Sequence, residues 1–133
     1  AVVQGVIKED GTVDAPIGRH PVDRKRMAVT PKNSKPAVTH YEVIARYRGY
    51  TRILCRLETG RTHQIRVHMA SIGHPLLGDG VYGAPCPEKG LEGQCLHARR
   101  LKFIHPRTGQ LVRLEAPLPE YFTQVISRLG NEI

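Results

Sequence analysis

Residues 57–83 read LETGRTHQIRVHMASIGHPLLGDGVYG, and this stretch decides how the rest of the chain is read. Arg61, His63, Gln64, Arg66 and His68 fall within eight residues, more hydrogen-bonding forks and rings than a purely structural helix spends. Upstream, Thr51, Ile53, Cys55 and Leu57 alternate with Arg52, Leu54, Arg56 and Glu58, the period of two of a strand with one face buried. Thr59-Gly60 ends that strand. Ile65, His68, Met69 and Ile72 then recur at helical spacing, which predicts a helix over residues 61–72. Gly73 suits the left-handed position just past a helix end, and His74-Pro75 prevents continuation.

At about 100° per residue, Arg61, Ile65, His68 and Ile72 share one face of that helix, and Arg66 flanks the seam on the side of Thr62 and Gly73. A guanidinium so placed can reach a carboxylate or phosphate on a neighbouring element. The first turn, residues 60–63, is expected to offer free N–H groups and a positive dipole end to an anion. Asp79, in the Gly-rich loop that follows, reads as a turn residue rather than a nucleophile. Residues 78–83 spell G-x-G-x-x-G, but a dinucleotide fingerprint needs a strand before it and a helix after it. Here His74-Pro75 precedes and Ala84-Pro85-Cys86-Pro87 follows, so a nucleotide site is excluded.

Outward from this stretch, residues 37–47 predict a long strand whose one face carries Thr39, Tyr41, Val43, Ala45 and Tyr47. Arg48-Gly49 turns it tightly into residues 50–58. Residues 1–7 and 12–17 predict an antiparallel pair joined by the Glu9-Asp10-Gly11 turn. Between them and the long strand lies a basic loop with Arg19, His20, Arg24, Lys25 and Arg26, followed by Lys32 and Lys35. Residues 85–93 read as loop. Residues 96–105 predict a strand whose alternation changes phase near Arg99-Arg100, as a bulge or single helical turn would cause. Residues 106–109 turn it into a strand over residues 111–117. Leu118-Pro119-Glu120 opens a terminal helix with Phe122, Val125, Ile126 and Leu129 as its stripe, ended by Gly130. The fold class is α+β, a mainly antiparallel sheet with two packed helices.

The 133 residues make one domain or part of one, enough to bury a core. No apolar run approaches membrane-spanning length, and no signal peptide is visible. Lys plus Arg outnumber Asp plus Glu by 20 to 12, for a net charge of +8, the balance of a protein that meets nucleic acid. Trp is absent and aromatics make up only 5%, too few for a single-strand binder built on stacking platforms. Three cysteines, Cys55, Cys86 and Cys95, are an odd number without CxxC spacing, which points to a reducing, cytoplasmic setting. Cys55 reads as a small core hydrophobe. No metal site is expected: His63 and His68 lie on different helix faces, and Cys86, Cys95 and His97 match no zinc spacing. There is no Gly-x-Ser-x-Gly elbow.

The string over Arg61–His68 and Gly73–Gly83 resembles the conserved-arginine region of the RluA/RluD family of RNA pseudouridine synthases. That region reads Leu-Glu-Thr-Gly-Arg-x-His-Gln-Ile-Arg-x-His, then Gly-His-Pro and Gly-Asp-x-x-Tyr-Gly. LHARRLKFIHP, residues 96–106, resembles the family's late Leu-His-Ala-x-x-Leu-x-Phe-x-His-Pro. The resemblance implies conversion of uridine to pseudouridine in RNA, with ribosomal RNA the expected partner and no metal or organic cofactor. In the family an aspartate does the covalent chemistry, a tyrosine stacks on the base, and an arginine pairs with the aspartate. A paired cation keeps a carboxylate ionised in a closed pocket, and a fork fixes its orientation.

By motif, Arg66 is that arginine. Arg61, His63, Gln64 and His68 would support the pocket or the RNA backbone, Leu96 would be an apolar pocket wall with His97 beside it, and Arg19, Arg24, Lys25 and Arg26 would grip phosphates. The family's nucleophile lies in a His-Arg-Leu-Asp-x-x-Thr-Ser-Gly string, and none of Asp10, Asp14, Asp23 and Asp79 has that context. Ala1-Val2-Val3-Gln4-Gly5 resembles the tail of the Lys-x-Tyr-x-Ala-Val string that carries the tyrosine. The chain is therefore expected to be the C-terminal portion of the catalytic domain, inactive alone and partnered by the domain's remainder. The rival expectation is a non-catalytic basic RNA-binding module.

Overall fold

The computed structural model describes residues 1–83, 93–130 and 132. Its central sheet has four antiparallel strands in the order β1 (Val2–Gln4), β7 (Tyr50–Leu57), β6 (Val38–Tyr47), β2 (Gly11–Asp14). The predicted long hairpin is its centre: Tyr47 faces Tyr50 across a two-residue turn, and a bulge between Val43 and Ala45 turns Ile44 outward. Thr39, Ala45 and Tyr47 on one face of β6 are buried, as the alternation requires.

The expected pairing of the first two strands does not form. β1 pairs with β7, and β2 pairs with β6 on the opposite edge. Residues 5–10 cross between the edges and are held by hydrogen bonds to the central pair. Arg46 donates to the carbonyls of Ile7 and Lys8, the Ile7 N–H donates to Thr51 Oγ1, and Asp10 accepts from the Val43 N–H. These long-range bonds satisfy backbone groups that a local hairpin would otherwise have paired.

A second sheet, β4 (Met27–Val29), β3 (Ile17–Arg19), β5 (Ser34–Lys35), holds the basic loop between β3 and β4. Helix α1 runs Gln64–Ser71, shorter than predicted at its start. His63 sits in the left-handed conformation, φ 55°, because the buried Gln64 side chain reorganises the turn before it. Gln64 Oε1 accepts from Thr59 Oγ1 and the Arg61 N–H, while its Nε2 donates to Val38 O and Thr39 Oγ1. The Arg61 N–H is thus taken internally and is not one of the free donors expected there. Past the helix, Gly73 has φ 87°, the predicted left-handed position.

Of the expected stripe, His68 and Met69 are buried and Ile65 packs partly buried against the Met69 cluster, but Ile72 is exposed; Gln64 and Val67 are buried in addition, so the seam is rotated from the expected one. The helix is packed from two sides. Met69 joins Val3, Ile7, Ile53 and Leu76 under the central sheet, while Val67 joins Ile17 and Ala37, with Met27 and Tyr82, under the second sheet. His68 is 0% exposed, with Nδ1 on Thr39 Oγ1 at 2.8 Å and Nε2 on Ala15 O at 2.9 Å.

Helix α2, Glu120–Arg128, matches its predicted stripe. Phe122 and Val125 pack against Val2, Leu77 and Cys95, with Leu118, Ile126 and Leu129 around them. Strand order over 96–105 differs from expectation. Only β8, Arg100–Ile104, is strand; it pairs with β9, Leu111–Glu115, as a separate hairpin. The predicted phase change at Arg99-Arg100 is where β8 begins. The 85–93 loop falls almost wholly outside the described residues, as does Cys86.

Candidate active site

The loop after α1 folds back against the helix and closes a polar group around Arg66. Asp79 Oδ2 accepts from Arg66 Nε at 2.8 Å and Oδ1 from Nη2 at 3.0 Å. The Asp79 side chain is 0% exposed and that of Arg66 only 12%. Oδ1 also accepts from the Val81 and Tyr82 N–H groups, so Asp79 is a turn residue, as expected, and an ion-pair partner as well. Burial alone would raise its pKa, but the Arg66 hydrogen bonds and the two backbone N–H groups outweigh that and hold the carboxyl below its ordinary range. The Arg66 pKa moves up for the reciprocal reason, chiefly the Asp79 hydrogen bond.

Tyr82 supports the same guanidinium from its face, with the Arg66 Cζ 5.0 Å from the ring centroid. Its hydroxyl bonds His63 Nδ1 at 2.7 Å and accepts from the Met27 N–H at 3.1 Å. Arg26 lies against the same ring, 5.5 Å from the centroid. Burial and the Arg66 charge lower the His63 pKa, against the pull of Asp79. Tyr82 therefore links α1 to the end of the basic loop.

Of the residues expected to act, Arg66, His63 and Arg26 are brought together here. Arg61 is half-buried and donates from Nε to Pro36 O at 2.9 Å. Gln64 and His68 lie in the interior with their polar atoms engaged as described above. Arg19, Arg24 and Lys25 are exposed on the loop; Arg19 donates to Arg24 O, and His20 Nδ1 accepts from the Val22 and Asp23 N–H groups. Leu96 packs at the edge of the Met69 cluster, and His97 Nε2 bonds Ala116 O; neither is hydrogen-bonded to the Arg66 group. Asp79 as an arginine partner and Tyr82 were missed from sequence. Both stand in the Gly-Asp-x-x-Tyr-Gly string, where turn chemistry was the evident reading. Among the described residues, no group of His, Cys, Asp and Glu could hold a metal ion, and no helix is long and apolar enough to cross a membrane.

The site is thus an arginine fork fixed by an internal acid, beside a basic loop on an α+β frame. Residues 1–71 match the family model for RNA pseudouridylate synthase, and the chain belongs to the RNA pseudouridine synthase family. It is 49% identical, over 98% of its length, to ribosomal large subunit pseudouridine synthase D of Nitrosomonas europaea. It is 54% identical, over 97%, to the uncharacterized RNA pseudouridine synthase YlyB of Bacillus subtilis. It covers 40% and 42% of those two proteins, so the chain spans about two-fifths of their length. Among solved structures, human RNA pseudouridylate synthase domain containing 1 superposes with a TM-score of 0.75 at 26% identity, over 97% of this chain and 63% of that one.

Proposed function

We propose that this chain is the arginine-bearing, RNA-contacting portion of an enzyme that isomerises uridine to pseudouridine, with ribosomal RNA as substrate. The observation that carries the reading is the free side of Arg66. A guanidinium has two forked edges, one formed by Nε and Nη2 and one by Nη1 and Nη2. Asp79 occupies the first, and Nη1 makes no hydrogen bond among the described residues. On this reading the second edge, without a hydrogen bond at Nη1 among the described residues, takes a carboxylate supplied by the remainder of the catalytic domain, and that carboxylate is the nucleophile. Asp79 is committed to Arg66 and to its own turn, so it does not serve as one. The names of the relatives, and the net charge of +8, support RNA as the partner. Arg19, Arg24 and Lys25 contact phosphate from the exposed loop, and Arg26 joins that loop to the site. The chain needs no metal or organic cofactor, and its cysteine usage fits the cytoplasm.

The reaction breaks the N1–C1′ bond, forms C5–C1′ and releases the C5 proton, so release of tritium from 5-tritiated uridine in RNA measures it. The 133-residue chain is expected to release none, and the polypeptide carrying the rest of the catalytic domain to release it, with Arg66→Ala abolishing turnover. Tritium release by the short chain alone would overturn the division of labour. RNA binding without release by the longer polypeptide would favour a non-catalytic RNA-binding module.

A further inference from the structure

We propose that Asp79 is a positioning residue for this reaction: together with the Tyr82 ring it locks the Arg66 guanidinium so that only its Nη1/Nη2 edge is presented to the reacting carboxylate. The inference rests on the reading of Arg66 given above and adds to it two residues of the following loop. Three observations carry it. The pairing is two-point, 2.8 and 3.0 Å, and a two-point pair fixes rotation in the guanidinium plane as a single contact does not. The ring at 5.0 Å limits tilting out of that plane. The Asp79 carboxylate is itself fixed by the Val81 and Tyr82 N–H groups, so its own orientation does not depend on Arg66.

Asp79 has a second effect. It places a negative charge on the far side of the guanidinium, which partly offsets the cation seen by the incoming carboxylate. That carboxylate is kept ionised and oriented without being held so tightly that its lone pair is lost to the substrate. Asp79 touches neither the substrate nor the reacting atoms; it acts through Arg66.

The test is a double-mutant cycle on the polypeptide that carries the whole catalytic domain, read by tritium release. Asp79→Asn keeps an oxygen for the Val81 and Tyr82 N–H groups but opposes an amide N–H₂ to Arg66 Nε. It is expected to lower kcat about 100-fold, the scale of a misplaced catalytic group, with KM changed less than about threefold. Arg66→Lys presents a point charge with no fork, so in that background the same change should cost less than about threefold. A merely structural role would give the same loss in both backgrounds, and that result would overturn the proposal. Independently of activity, the Arg66 Nε–H resonance of the 15N-labelled chain should be protected from exchange and become unprotected in Asp79→Asn. Persistence of that protection would also overturn it. Should Asp79→Asn not fold, Tyr82→Leu takes its place in the cycle with the same two outcomes. Inactivity of the wild-type polypeptide would refute the function itself, whereas an active wild type with an additive cycle refutes the positioning role alone.

Discussion

The Arg66–Asp79 pair makes a sharp prediction about stability, because its two charges are buried unequally. Consider Arg66→Met, Asp79→Asn and the double variant at pH 7. With Arg66 gone, a carboxylate that is 0% exposed keeps only its two N–H donors. Breaking a buried pair from one side costs about 3–5 kcal/mol, and the upper half of that range applies here. With Asp79→Asn, Arg66 loses its charge partner but is close enough to the surface, at 12% exposure, to recruit water; the loss is then about 2–3 kcal/mol, the scale of hydrogen bonds to a charged group. The double variant leaves a thioether side chain beside an amide that still caps its turn. It should lose only about 1–2 kcal/mol, since replacing a whole buried pair by neutral groups is often nearly neutral. The coupling between the two sites is then about 5–6 kcal/mol.

Urea unfolding of the 133-residue chain, followed by circular dichroism, gives each value. Additivity of the single losses to within about 0.5 kcal/mol would refute the pairing. The pH dependence supplies an independent check. Asp79 has a folded pKa depressed from its ordinary 3.8, so the unfolded state binds the proton more readily. Its contribution is complete above 3.8 and is lost as pH falls through the lower, folded value. The stability gap between wild type and Asp79→Asn should be flat from neutral pH down to about 3.8 and should close as pH falls from there through the folded value. A gap that closes near neutral pH would assign the effect to another group.

Two further outcomes are expected. Replacing Arg19, Arg24, Lys25 and Arg26 by Ala should weaken RNA binding and flatten the salt dependence by roughly 2–3 units of slope if three or four phosphates are contacted; filter binding across a salt series measures it, and an unchanged slope would clear the loop of phosphate contact. Gly83→Ala should destabilise the Asp79 turn by about 1–3 kcal/mol, because the new Cβ would stand 2.8 Å from Pro75 Cβ and 3.0 Å from Asp79 O. Gly60→Ala, where nothing lies within 4 Å, should be tolerated; the same urea unfolding measures both.

How far the sequence foretold this fold depended on whether burial was apolar and local. Helix α2 was legible throughout, because one face meets one apolar cluster and Phe122, Val125, Ile126 and Leu129 record it. The central hairpin was legible for the same reason, with a tight turn to fix its register. The first strands were misread because proximity along the chain favoured pairing them, whereas β1 and β2 each find an edge of a hairpin more than 20 residues downstream. The alternation in residues 1–17 does not record that preference; the crossing segment is held by contacts of Arg46, Thr51 and Val43, the last of them through Asp10.

Helix α1 marks the other limit of hydrophobic patterning, and it is where the candidate site lies. Its interior is built partly from Gln64 and His68, whose burial is sustained by hydrogen bonds to Thr39, Val38 and Ala15 rather than by transfer from water. A periodicity count gives Gln64 to the polar face and keeps Ile72 in the seam, so it rotated the expected seam and moved the helix start. The same rule explains Asp79. A buried acid looks like a turn residue until its cation is located, and that cation stands 13 residues earlier on the helix. Recurrent motif strings named Arg66 because the fork chemistry requires that residue type, but they leave open which carboxylate takes which edge. Only the folded loop decides it for this chain: Asp79 takes the Nε and Nη2 atoms.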